Sequence, residues 1–131
     1  MVKEWDGLWM SMAVLMSHQS DDEGKAVGAI IVSTNDEKVL GIGTNKLPVD
    51  LPGHEPQVTG HSGYVHAERN AISNCSMFDA SPRKLYVTLS PCINCAKLIE
   101  ESSIEEVIYL TEHSKTEGIE YLREKGIIVR Q

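Results

Sequence analysis

Aromatic residues make up only 5% of this 131-residue chain, with a single phenylalanine, and cysteine occurs three times. Three thiols, two of them in a Cys92-x-x-Cys95 pair, exclude the disulfide scaffold of a small secreted domain and direct attention to metal or redox chemistry. No apolar run approaches the roughly 20 residues of a membrane-spanning helix. The start, Met1-Val2-Lys3-Glu4-Trp5-Asp6, brings in acidic residues before any apolar stretch, unlike a secretory leader, so the expected location is the cytoplasm. Basic charge is short as well, 12 Lys and Arg against 19 Asp and Glu, a formal net charge of −7. Such a surface opposes nucleic acid as a partner, whose affinity comes largely from cations neutralising phosphates. A single mononucleotide needs only a local nest of amides or a lysine or two, and stays within reach.

What is present is ordinary for a globular protein, 41% apolar and 24% charged residues, and the length suits one domain over residues 1–131. Leu8, Trp9, Met12, Ala13, Leu15 and Met16 recur at helical steps and predict an amphipathic helix from Trp5 to Gln19. Val27–Ser33 and Val39–Thr44 read as antiparallel strands joined through Asn35-Asp36-Glu37-Lys38. Lys46–Gly63, rich in proline and glycine, is a long loop leading into a helix over His66–Ser76. Beyond it the pattern predicts strands at Lys84–Leu89, Val107–Leu110 and Ile127–Val129, and helices at Pro91–Ser102 and Lys115–Lys125, the last stopped by Gly126. Strand and helix alternation there implies right-handed crossovers and a largely parallel arrangement. The expected fold is α/β, a three-layer α/β/α sandwich on a mixed sheet of five strands, the last two parallel.

Two short pieces carry the chemistry: His66-Ala67-Glu68, and Pro91-Cys92 with Cys95. An imidazole and two thiols suit Zn2+, and three protein ligands leave a fourth tetrahedral position for water. His66 and Cys92 are expected at helix N-termini, where partial positive charge and free amides favour thiolate over thiol. Glu68, two residues from a ligand, is placed to take a proton from an activated water and return it to a substrate ring. The alternative is a structural zinc with Cys75, His54, His61 or Glu68 as fourth ligand. Cys75 on its own reads as a small core residue, and His18 and His113 as surface residues. Lys25 and Lys46 are the candidate phosphate contacts.

The His-x-Glu and Pro-Cys-x-x-Cys pattern is that of zinc deaminases acting on nucleobases. The wider sequence resembles the deoxycytidylate (dCMP) deaminases of the cytidine deaminase superfamily. The residues that carry the resemblance are Trp5-Asp6 with Trp9-Met10, Val27–Val32, Gly41–Asn45 with Pro48, Tyr64–Ile72 and Leu85–Ile99. It implies a zinc-dependent hydrolase of nucleotide metabolism, converting dCMP to dUMP and ammonia. His66, Cys92 and Cys95 would bind zinc and Glu68 would shuttle protons. Asn45 would hold the sugar, the Ala67 amide the base carbonyl and the Ser90 carbonyl the exocyclic amine. Family members are commonly oligomers, so a homo-oligomer, hexamer or dimer, is implied. Lys46 stands where the family commonly has glycine, and His113-Ser114 where it often has Tyr and Asp. Alternatives are deamination of dCTP or a cytosine nucleoside, a tRNA adenosine deaminase, and an inactive zinc-stabilised binding module.

Overall fold

Apolar and β-branched runs in the chain form five strands, and the computed structural model gives their order as β2-β1-β3-β4-β5. It describes residues 4–22, 24–48, 59, 63–76 and 81–131. The strands are β1 (Gly28–Ser33), β2 (Val39–Thr44), β3 (Arg83–Leu89), β4 (Ile104–Thr111) and β5 (Ile128–Arg130). The helices are α1 (Glu4–Ser17), α2 (Ala67–Ser73), α3 (Ile93–Glu101) and α4 (Glu117–Glu124). β1 pairs antiparallel with β2 and β3, while β3–β4 and β4–β5 are parallel. The sheet is thus mixed, with parallel pairing confined to the half where helices intervene.

Strand alternation sorts the core onto two faces. Ile30, Val32, Tyr86 and Ile108 meet Trp9 and Ala13 of α1 on one side. Ala29, Ile31, Leu85, Val87 and Val107 meet Ala71, Ala96, Ile99, Ile119 and Leu122 of the other helices on the opposite side. The result is the expected three-layer α/β/α sandwich. α1 itself departs from the amphipathic expectation, because Trp5, Leu8 and Leu15 are 47%, 47% and 63% exposed. Its apolar residues encircle the helix, and the sheet buries Trp9 and Ala13 and partly covers Met10, Met12 and Met16.

Polar ties fix α1 to the sheet. Asp6 accepts from the Tyr86 hydroxyl and pairs with Arg130 Nη1 at 2.8 Å, and Arg130 also donates Nε to Glu106 at 2.6 Å. In the β1–β2 turn, Asp36 (φ 62) accepts from Trp9 Nε1 at 2.8 Å and from the buried Lys84 ammonium at 2.6 Å. The Glu106 pairing explains why β4 begins at Ile104, three residues before the apolar run that announces it. Gly126 (φ 82) ends α4, and Ile127 N–H reaches back to Leu122 O at 3.0 Å, in the left-handed manner expected of a helix stop.

One end of the sheet collects the segments that matter. Val27 precedes β1, Asn45 follows β2, Ser90 follows β3 and His113 follows β4, all at the edge where the parallel strands end. Ligand sites in α/β sheets form at this carboxyl end.

Candidate active site

His66 and Cys92 are the N-cap residues of α2 and α3, both with extended backbone (ψ 152 and ψ 170). Pro91 therefore precedes the cap, and α3 starts two residues later than the proline suggests. Cys95 lies in the first turn of α3, which brings its sulfur back beside Cys92. His66 Nδ1 is 3.2 Å from Cys95 Sγ and 3.6 Å from Cys92 Sγ. Tetrahedral zinc bonds of about 2.0–2.3 Å separate neighbouring donors by roughly 3.5 Å, so the donor set fits the ion. Among the described residues it is the only cluster of this kind, its donor atoms all within 4.8 Å of one another.

A structural fourth ligand is not among them. Cys75 lies at the far end of α2, where its thiol donates to Ala71 O at 3.4 Å and packs on the core, as a small core residue should. His54 and His61 lie outside the described residues. Glu68 does not join the donor group. Instead it is 5% exposed and lines the pocket beside the ligands. Burial pushes its carboxyl above the usual carboxylate range, opposed by its own backbone amide and by His66. The Cys92 thiol is pulled down to about 3, first by the hydrogen bond from Cys95 and also by His66. Cys95, as donor to that thiolate and buried, is raised. Both sulfurs would hold a cation as thiolates, their protons released on binding.

The pocket measures about 450 Å³ and is lined by His66, Ala67, Glu68, Asn45, Ser90 and Cys92 among others. Six of the expected residues thus share one pocket, and Cys95 joins His66 and Cys92 in the donor cluster. Asn45 is more occupied than its sequence context suggests. Its Oδ1 accepts from Val27 N at 3.0 Å and from the Ser20 hydroxyl, and its Nδ2 donates to Lys25 O at 2.7 Å. One amide hydrogen is left over. Asn70 has a structural role, donating to Thr44 O at 2.7 Å and so tying α2 to the end of β2. Lys46 does not line the pocket, and its backbone forms a bridge with Val65 that sets His66 in place. Lys25 does line it.

His113 is a correction. It is half-buried in the pocket wall, with its N–H donated to Ser90 Oγ at 2.7 Å and its Nδ1 accepting from Lys115 N at 3.0 Å. A lone histidine in a polar stretch gives no signal of this. Two glycines also escaped sequence reasoning. A Cβ on Gly118 of α4 would stand 2.2 Å from Pro91 O and 2.9 Å from Cys92 O. One on Gly43 would stand 2.4 Å from Ala71 N and 2.5 Å from Ala67 O. These close approaches seat the two ligand-bearing helices.

Known proteins share this arrangement. The chain is 39% identical over 118 residues to a mouse deoxycytidylate deaminase, covering 83% of this chain and 66% of that one. Against a deoxycytidylate deaminase of Mycobacterium phage D29 the identity is 35% over 122 residues, covering 81% of this chain and 94% of the relative. The chain thus spans just under two thirds of the mouse protein but nearly all of the phage one. Among solved structures, a dCMP deaminase from cyanophage S-TIM5, in complex with dCMP and dUMP, superposes with a TM-score of 0.80 at 29% identity, covering 100% of this chain and 99% of that one. The model of the cytidine and deoxycytidylate deaminase zinc-binding region matches residues 3–111, a span that holds the triad, Glu68 and all five strands but the last, and the chain belongs to that family.

Proposed function

We propose that the protein hydrolyses dCMP to dUMP and ammonia. The observation that carries this reading is the buried Glu68 carboxylate sharing one pocket with the His66, Cys92 and Cys95 donor set. The phage deaminase crystallised with dCMP and dUMP, similar over the whole chain, supports the choice of base and product. A similarity of 28% to a tRNA-specific adenosine deaminase of Buchnera is the weaker guide, since a net charge of −7 suits RNA poorly.

Zinc held by His66, Cys92 and Cys95 would lower the pKa of a water molecule and so supply hydroxide at neutral pH. Glu68 takes one proton of the attacking water and places it on N3 of the cytosine ring as C4 is attacked, then takes the second from the new hydroxyl at C4 and delivers it to the amine, which departs as ammonia and leaves a carbonyl. Its burial raises the carboxylate's proton affinity, which suits a group that must both take and give. The Ala67 amide, at the first turn of α2 and without an intrahelical partner there, is assigned to the base carbonyl. The Ser90 carbonyl receives the exocyclic amine, and the spare Asn45 amide hydrogen meets the sugar.

The apolar residues exposed on α1 favour a homo-oligomer, and the chain is read as one deaminase domain acting in the cytoplasm. Ammonia release from cytidine, deoxycytidine, dCMP, dCTP and adenosine by zinc-loaded protein tests the proposal. We expect dCMP to give the highest kcat/KM. Faster turnover of adenosine, or of no cytosine compound, would overturn it.

A further inference from the structure

The Asn45 side chain is oriented by groups that leave no choice of end. Val27 N–H can only donate, so the atom 3.0 Å from it is Oδ1, and Lys25 O can only accept, so the atom 2.7 Å from it is Nδ2. A third group completes the hold. Ser20 Oγ lies 2.5 Å from Asn45 Oδ1, against 3.2 Å from Asn45 O and 3.4 Å from Asp22 O, and its single hydrogen goes to the nearest acceptor. Asp22 N–H donates into the same hydroxyl oxygen at 3.0 Å and so turns it. Asn45 Oδ1 thus accepts two hydrogen bonds, one for each lone pair, while one Nδ2 hydrogen stays unspent.

Asn45 lines the pocket and Ser20 does not, so Ser20 reaches a ligand only through Asn45. Ser20 stands on the turn that leaves α1, its N–H donated to Ser17 O at 3.1 Å, and α1 lies so close to β1 that a Cβ on Gly28 would stand 1.8 Å from Ala13 O. The next residue adds two ties to the end of β2. Asp21 N–H donates to Asn45 O at 3.1 Å, and Asp21 Oδ2 accepts from Leu47 N at 2.9 Å. The turn is therefore held against Asn45 by bonds other than the Ser20 hydroxyl's own. An amide whose oxygen accepts two hydrogen bonds is polarised, and its N–H becomes the stronger donor. We propose that Ser20 is a positioning residue for the sugar: its hydroxyl steadies and polarises the Asn45 amide, so that the remaining Nδ2 hydrogen meets O3′, the one free hydroxyl of a 5′-phosphorylated deoxyribose. This rests on the reading of the substrate as dCMP and of Asn45 as its sugar contact.

Steady-state turnover of dCMP and of 2′,3′-dideoxycytidine 5′-monophosphate, which lacks the hydroxyl at C3′, by the zinc-loaded full chain tests it. The variants are Ser20→Ala and Ser20→Thr, with thermal melting verifying the fold. We expect Ser20→Ala to raise KM for dCMP about three- to tenfold and to leave kcat unchanged, as loss of a contact made equally in the ground and transition states does. The dideoxy substrate should lose nothing to that substitution, and Ser20→Thr, which keeps the hydroxyl, should recover most of the loss on dCMP. A merely structural role would weaken both substrates alike. Equal loss on the two substrates, or no loss on dCMP, would overturn the positioning role while leaving dCMP hydrolysis intact. If Ser20→Ala fails to fold, Ser20→Cys, a weak donor of similar size, takes its place in the same comparison. A wild type that turns over neither nucleotide would sink the dCMP reading instead, and the positioning role with it.

Discussion

Glu68 is a carboxylate at 5% exposure whose environment opposes its charge, a costly placement for a residue that does no chemistry. Replacing it by Gln keeps shape and removes the proton carrier. Glu68→Gln should lower kcat by about 10²–10⁴ with zinc content, measured by elemental analysis, unchanged. Cys92→Ser should instead lose the metal itself, since it removes one of the two sulfurs from a set of only three donors. The difference between these variants separates proton transfer from metal retention. His66, Glu68, Cys92 and Cys95 were legible because their spacing is local: each pair is two or three residues apart and needs only a helix start to converge. Asn45 and His113 were not legible in the same way. What they do depends on Val27, Ser20, Lys25 and Ser90, partners brought in by the sheet.

At the scale of elements, the ligands are positioned by helix starts that must approach neighbouring backbone closely. Gly118→Ala drives a methyl to 2.2 Å from Pro91 O, and something must move. We expect a loss of about 1–3 kcal/mol in denaturant unfolding together with weaker zinc retention in chelator competition, because the displaced residue adjoins Cys92. Gly126→Ala offers the contrast. Its φ of 82 makes the substitution strained, with open space around it, so stability should fall by about 1 kcal/mol while zinc affinity holds. The helices and strands were largely visible in apolar periodicity and in turn residues such as Gly126. Their boundaries were not, where a pairing outside the element decided them: Glu106 belongs to β4 because Arg130 neutralises it, and Pro91 stands outside α3 because Cys92 caps it.

Across the whole molecule, the Asp6–Tyr86–Arg130–Glu106 network joins the first helix to the last strand. Burial opposes the charge of Asp6, yet Arg130 and the Tyr86 hydroxyl hold its carboxyl below the ordinary 3.8. The unfolded chain therefore takes up this proton first. The contribution to stability is fully present above pH 3.8 and is lost as pH falls through the lower folded value. Asp6→Asn should cost about 1–3 kcal/mol at neutral pH and flatten the acid limb of the unfolding curve measured by circular dichroism. The exposed Trp5, Leu8 and Leu15 on the same helix predict self-association, and sedimentation should find a dimer or larger; a monomer at micromolar concentration would contradict it. The layer order was legible from strand and helix alternation, whereas the partial burial of α1 was not, since a helix apolar on every side does not declare which face the sheet will cover. The central claim is hydrolysis at the Glu68 pocket, and its most direct test is turnover of dCMP in ¹⁸O-labelled water by zinc-loaded protein. One ammonia should be released and one ¹⁸O gained at C4 of dUMP for each dCMP consumed, with Glu68→Gln nearly silent. No loss of dCMP, or equal turnover by that variant, would contradict it.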